Sequence, residues 1–221
     1  DSIQLAITLM LQNEFSQLPV ETGPNKIAGM ISWRSIAKKL HLLGGCDKVG
    51  DCMERHHEVR TRASLFEVIQ LVTRYDAVLV KNDNGLIVGI ITNADISQEF
   101  RNLSEPFLLL GEIENALRRL IDKRFNSEEL QKVRHPDQPN KEIETADDLN
   151  FGDYIELLSN EDRWKKFGVK LERNPIIKNL DKIRIIRNEV MHFNSDPLEE
   201  PDKEILRSAA HFLSDLLDTV A

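Results

Sequence analysis

Apolar and polar positions alternate with two different rhythms along the chain. In the first region, helical spacing over residues 2–13 gives way to two short apolar strands, 15–20 and 27–32, joined by the turn-forming run Thr22-Gly23-Pro24-Asn25. A second helix follows. The same order then returns, with a helix over 64–74, strands over 75–80 and 87–92, a turn at Asn82-Asp83-Asn84-Gly85, and another helix. Matched positions lie 60 residues apart, Phe15 with Tyr75 and Gly29 with Gly89. The Asn84-Gly85 pair predicts a hairpin, because such turns need positive φ.

Beyond residue 102 the strand rhythm stops. Leu109, Ile113, Leu117, Leu120 and Ile121 recur at helical spacing and predict a helix over 107–125, entered through Ser104 as N-cap with Pro106 in its first turn. Two prolines between 134 and 140 predict a surface loop with a solvated His135. Further helices are expected over 153–167, 176–193 and 201–220. The last turns Ile205, Leu206, Ala209, Phe212, Leu213, Leu216 and Leu217 inward, with His211 at the core edge. The fold class is α+β: two strand-containing repeats, then an all-α region.

The repeated unit resembles the CBS domain, and two in tandem resemble the paired CBS module. The likeness is carried by Leu18-Pro19-Val20, by the Gly29 and Gly89 strands, and by Val49-Gly50-Asp51-Cys52-Met53 and Val59 to Leu65, which look like a lead-in to the second copy. It covers residues 1–102, about 1–45 for the first copy and 46–102 for the second, and implies βαββα units. The first copy is expected to lack its opening strand, which would lie upstream of Asp1 or be borrowed from elsewhere.

This resemblance implies an adenosine nucleotide (AMP-, ADP- or ATP-like) as a regulatory ligand. It would be gripped where a strand meets the second helix by a Ser or Thr and an Asp three residues apart. Thr92 and Asp95 keep that pattern, whereas Ser32 and Ser35 in the first copy lack the ribose-gripping carboxylate, so that cleft is expected to be degenerate. The cations that the family often supplies before the Leu-Pro-Val strand are replaced by Ser16-Gln17 and Asp76-Ala77, with Arg60 and Arg62 as candidate substitutes. Helix capping by the same residue types is the alternative reading of both pairs.

In the helical region, Ile176, Leu180, Ile183, Ile186, Val190 and Phe193 form one apolar stripe, and Arg184, Asn188 and His192 line up on the opposite face. Arg187 points roughly 140° from His192 on a helix of 3.6 residues per turn. One helix therefore does not aim both at one phosphate, while a two-fold pair of helices would. An arginine to hold a phosphate and a histidine titrating near neutrality suffice for metal-free RNA cleavage. The alternative is an ion-paired Arg187 at the core edge and a His192 favoured by the helix dipole.

The run Arg187-Asn188-Glu189-Val190-Met191-His192 resembles the Arg-Asn-x-x-x-His motif of HEPN domains, many of which are metal-independent ribonucleases working as homodimers, while others are non-catalytic. That resemblance implies an HEPN-like helical domain over 103–221 in which Arg187, Asn188 and His192 are the catalytic group and no cofactor is needed.

Charge modifies this picture. The 221 residues carry a formal net charge of −8, which argues against nucleic acid, yet residues 163–187 hold nine basic side chains against two acidic ones. Arg184, Lys182 and Lys178 of that run are candidate RNA-backbone contacts. The competing reading is a solvated face neutralised by Asp196, Glu199, Glu200, Asp202 and Glu204. No apolar run approaches the ~20 residues of a membrane span. Cys46 and Cys52 suit a reduced, cytoplasmic setting and read as surface linker residues, with a zinc site shared with His56 and His57 the weaker alternative.

Two functional expectations follow. One is a nucleotide-regulated, metal-independent ribonuclease; the other is a non-enzymatic nucleotide-sensing module whose helical domain dimerises or recruits a partner.

Overall fold

A computed structural model describes residues 1–133, 141–192 and 198–220. The Pro136 and Pro139 loop with His135, Phe193 and Asp196 lie outside them. The chain divides into two units, Asp1–Glu99 and Phe100–Ala221.

In the first unit the 60-residue repeat is a repeat of hydrogen-bond register. Helix α1 (Ile3–Gln12) is capped by Ser2, whose side chain accepts from the Leu5 N–H, and leads into β1 (Gln17–Gly23), β2 (Lys26–Ser32) and α2 (Trp33–Leu43). After the short α3 (Val49–Cys52) and β3 (Glu58–Arg60), helix α4 (Leu65–Tyr75) is capped by Ser64 and leads into β4 (Ala77–Lys81) and β5 (Ile87–Thr92). Gln17 pairs Ser32 as Ala77 pairs Thr92, and Val20 pairs Gly29 as Val80 pairs Gly89, with an irregularity following Val20 and Val80 alike. Each copy buries its own apolar cluster: Ile3, Ala6, Met10, Ile31 and Ile36 in the first, and Val59, Val68, Val72 and Val78 in the second. The second turn depends on Gly85, at φ 80°, and on Asn82, whose Oδ1 accepts from the Asn84 and Leu86 N–H groups.

The copies differ at their edges. In the second, β3 runs parallel to β4, and Lys81 Nζ donates to Glu58 Oε2 at 2.6 Å across the pair. In the first, the described residues hold no such strand beside β1; Glu54 instead bridges the outer side of β2, exchanging both backbone hydrogen bonds with Met30. Residue 29 must be glycine for this, because a Cβ there would lie 2.5 Å from the Glu54 carbonyl oxygen.

Helix α5 (Asn93–Asp122) runs unbroken through Pro106. The separate helix expected from residue 104 onward is therefore a continuation. A mid-helix proline forfeits a hydrogen bond and costs about 3 kcal/mol, and burial of Pro106 with the apolar stripe that follows offsets this. In the second unit come α6 (Ser127–Gln131), a 3-10 turn at Ala146–Asp148, α7 (Phe151–Ser159), α8 (Glu161–Phe167), α9 (Arg173–Met191) and α10 (Glu200–Val220). The single helix expected over 153–167 is two, because Asn160 ends α7 and its side chain accepts from the Asp162 and Arg163 N–H groups to start α8. The core joins Ile113, Leu117 and Ile121 of α5, Tyr154 and Leu157 of α7, Leu180, Ile183 and Ile186 of α9, and Leu206 and Leu213 of α10. Phe212 is 38% exposed rather than turned inward, and the His211 side chain, expected at the core edge, is 81% exposed. No helix among the described residues is long and apolar enough to cross a membrane.

Gly29→Ala is expected to open the Met30–Glu54 bridge and cost about 1–3 kcal/mol in urea unfolding, while Gly89→Ala, with nothing within 4 Å of the added Cβ, leaves stability nearly unchanged. The Lys81 ammonium holds the Glu58 carboxyl below its ordinary value of 4.5. A lowered carboxylate pKa stabilises the fold above the unfolded value and stops doing so as pH falls through the folded one. Glu58→Gln should thus cost under about 1 kcal/mol at neutral pH, the pair being a third exposed, and the difference from wild type should vanish below the folded pKa of Glu58.

Candidate functional site

Both strand-to-helix junctions are closed by reciprocal caps, and they differ in what is left over. At the first, Ser35 Oγ accepts from the Ser32 N–H at 2.9 Å and donates to the Ser32 carbonyl at 3.0 Å, while the Ser35 N–H donates to Ser32 Oγ at 3.1 Å. Ser35 is 1% exposed, and its hydroxyl has spent its proton on the backbone. At the second, Asp95 Oδ2 accepts from both the N–H and the hydroxyl of Thr92, at 2.8 and 2.7 Å. Asp95 Oδ1 has no partner among the described residues, and the side chain is exposed at the start of α5. Capping therefore uses one carboxylate oxygen and leaves the other to accept hydroxyl protons from a ligand.

Arg60 and Arg62, the candidate substitute cations, are both exposed. Arg62 is bound to Asp83 at 3.3 Å. Between the two copies lies a different polar cleft of about 190 Å³, lined by Gln17 and Ser32 of the first copy, by Arg55, His56 and His57, and by Arg74 and Tyr75 of the second. His57 stacks on Tyr75 with ring centroids 3.5 Å apart. Burial, then the positive charges of Arg55, His56 and Arg74, push the His57 pKa below its ordinary value.

On α9 the candidate catalytic side chains have divergent surroundings. Arg187 Nε donates to Glu114 Oε1 of α5 at 2.7 Å, and the other oxygen of that carboxylate accepts from Arg118 at 2.9 Å. Arg118 also donates to the Tyr154 hydroxyl at 2.9 Å. Burial raises the Tyr154 pKa, so the phenol stays protonated and donates to the Ala146 carbonyl. Arg184 is bound to Asp181 of its own helix at 2.8 Å. Asn188 and His192 are exposed one turn apart, His192 ending the helix with its N–H on the Asn188 carbonyl at 3.0 Å.

Lys178 and Lys182 are exposed and make no ion pair among the described residues. Lys165 and Lys166 in the same basic run are neutralised by Glu161 and Glu129. Glu200 and Glu204, expected to shield that run, are instead bound to Arg207 of their own helix. Glu114 and Asp181 escaped the sequence reading; Asp181 lies three residues before Arg184 at helical spacing, whereas Glu114 has no local signal, being 73 positions from Arg187.

The cysteines are a correction. Cys46 and Cys52 are joined to each other in the core of the first copy, Cα atoms 5.9 Å apart and 5% and 0% exposed, rather than lying on a surface linker. Small apolar side chains fill that core, and the polar residues between them disguised their burial. His56 pairs with Glu58, and no cluster of metal-ligating side chains occurs among the described residues.

The family model for the CBS domain matches residues 1–42 and 49–102. No curated protein is significantly similar to the chain. Among solved structures, a CBS domain-containing protein from Bacillus anthracis is 18% identical, covering 46% of this chain and 79% of its own, with a TM-score of 0.40. The CBS domain pair of protein MJ0100, solved with 5′-methylthioadenosine and S-adenosyl-L-methionine, is 26% identical over 45% of this chain and 82% of its own, TM-score 0.41. CBSX2 in complex with AMP is 22% identical over 45% and 81%, TM-score 0.39. The matched family, the 60-residue register repeat and the two capped junctions together identify the N-terminal part of the chain as a tandem pair of CBS domains.

Proposed function

We propose that the CBS pair is a regulatory sensor that binds an adenosine nucleotide at the Thr92–Asp95 junction, and that the helical region is the part it regulates, through self-association or a recruited partner. The observation that carries this reading is the free Asp95 Oδ1 beside an Oδ2 already committed to the cap. A carboxylate so arranged is held in place before any ligand arrives, and can accept from both ribose hydroxyls without giving up its structural bonds. The saturated Ser32–Ser35 junction lacks that capacity, in keeping with an asymmetric pair of clefts. Ligand would shift the helical region only as far as it favours one arrangement of the protein over another.

A second reading, metal-independent cleavage of RNA by an HEPN-like homodimer, draws support from Asn188 and His192, whose side chains stand exposed on one face of α9. It requires the scissile phosphate to compete with Glu114 for Arg187, or to meet the guanidinium nitrogens that Glu114 does not engage. His192 would then move the proton at the ribose 2′-hydroxyl or the leaving oxygen, Asn188 would orient the scissile group, and Arg184, Lys182 and Lys178 would contact the backbone.

Calorimetric titration of AMP into the full chain should show saturable binding that Asp95→Ala weakens by about tenfold or more, the scale of a lost charge-assisted hydrogen bond; equal heats in both proteins would remove Asp95 from the site. For the second reading, incubation of mixed RNA with EDTA present should give cleavage that disappears in His192→Ala and in Arg187→Ala while both retain wild-type circular dichroism. Cleavage surviving in either variant strips that residue of its role, and none in wild type removes the ribonuclease reading.

A further inference from the structure

The cleft between the two copies is built for a charge that the chain does not itself supply. Four cationic side chains line it, Arg34, Lys38, Arg55 and Arg74, against two carboxylates, Glu54 and Asp76. Those carboxylates are spoken for: Asp76 lies 3.5 Å from Arg34 and Glu54 2.8 Å from Lys38. Arg55 and Arg74 have no carboxylate partner among the described residues. Their field already reaches the cleft wall, since both disfavour protonation of His57.

Two further side chains there have polar atoms without a partner. Gln17 is 8% exposed, lines the cleft, and its amide makes no hydrogen bond among the described residues. His56 Nε2 is on Glu58, leaving Nδ1 buried without a partner. A buried ring nitrogen without a partner costs free energy unless a ligand or water satisfies it. The cleft also receives the N-terminal end of α2 through Ser32, where the helix dipole favours an anion.

The geometry points to an oxyanion site for a compact phosphate-bearing molecule without a nucleoside, of the size of inorganic pyrophosphate, held by Arg55 and Arg74 with Gln17 as a neutral donor. Three features disfavour a nucleoside. The junction at Ser32–Ser35 has no carboxylate for ribose hydroxyls. Tyr75, the aromatic ring of this cleft, already carries His57 stacked on it and Arg74 5.4 Å from its centroid, which leaves a base less of the ring to stack on. The volume of about 190 Å³ lies below the roughly 300 Å³ at which pockets begin to enclose drug-sized molecules, yet accommodates a di-phosphate with its hydration. The chain would thus read two chemically different ligands, one at each junction of the pair, and this second site stands whether or not Asp95 binds a nucleotide.

Isothermal titration of pyrophosphate into the full chain tests the assignment. Saturable one-site binding is expected, weakened about tenfold or more by Arg55→Gln and by Arg74→Gln, weakened in Gln17→Leu, which preserves burial while deleting the donor, and unchanged in Asp95→Ala. Circular dichroism melting of each variant checks that the fold persists. No saturable heat at millimolar pyrophosphate, or undiminished affinity in both arginine variants, overturns the site. AMP binding that falls in Arg55→Gln but survives in Asp95→Ala would make this cleft a nucleotide site and overturn the nucleoside-free assignment; loss of AMP binding in Asp95→Ala alone bears only on the other junction.

Discussion

A helix that starts directly after a strand begins with N–H groups that none of its own carbonyls can reach. Both copies meet this constraint at the same register position, and the way each meets it decides what chemistry remains. A serine hydroxyl has one proton, and at the first junction that proton is consumed by the backbone. A carboxylate has two oxygens, and at the second junction capping consumes only one. The two copies therefore share a backbone while offering different groups to solvent, and the difference rests on one side chain per copy.

In the helical unit the corresponding constraint is charge neutralisation at the core edge. Glu114 faces two guanidinium groups, Arg118 and Arg187, with the Tyr154 hydroxyl completing the network. Removing Glu114 takes the shared carboxylate from both partly buried guanidinium groups, which is more costly than the net worth of either pair. The same pairing joins α9 to α5 and makes Glu114 a competitor of any anion that approaches Arg187. Stability and an RNA-directed role compete for one guanidinium.

Much of the first unit was legible because a repeat is read twice. Matching Phe15 with Tyr75 and Gly29 with Gly89 amounts to stating the hairpin registers, and those registers coincide at the same offset in the structure. The apolar stripes of α9 and α10 were legible for a related reason: Ile183, Ile186 and Leu213 follow helical period into the core. What escaped depended on contacts remote in sequence or on single residues overriding a pattern. Nothing near Arg187 announces Glu114. Asn160 divides one apolar run into two helices, and Pro106 fails to divide another. Cys46 and Cys52 sit among polar neighbours but face inward, and Gln17 looks like any strand-start residue until the cleft around it is seen.

The Met30–Glu54 bridge bears on how such a pair can be dissected. Met30 belongs to the first copy and Glu54 to the lead-in of the second, and the backbones of Asp1 and Ile3 are likewise joined to Val49 and Asp47. Cutting the gene between the copies would strip the first hairpin of an outer neighbour and expose raw peptide edges in both fragments, inviting sticky self-pairing. Two modules that sequence separates are thus stitched through their backbones, and a boundary drawn between the repeats does not fall on a gap in the hydrogen bonding.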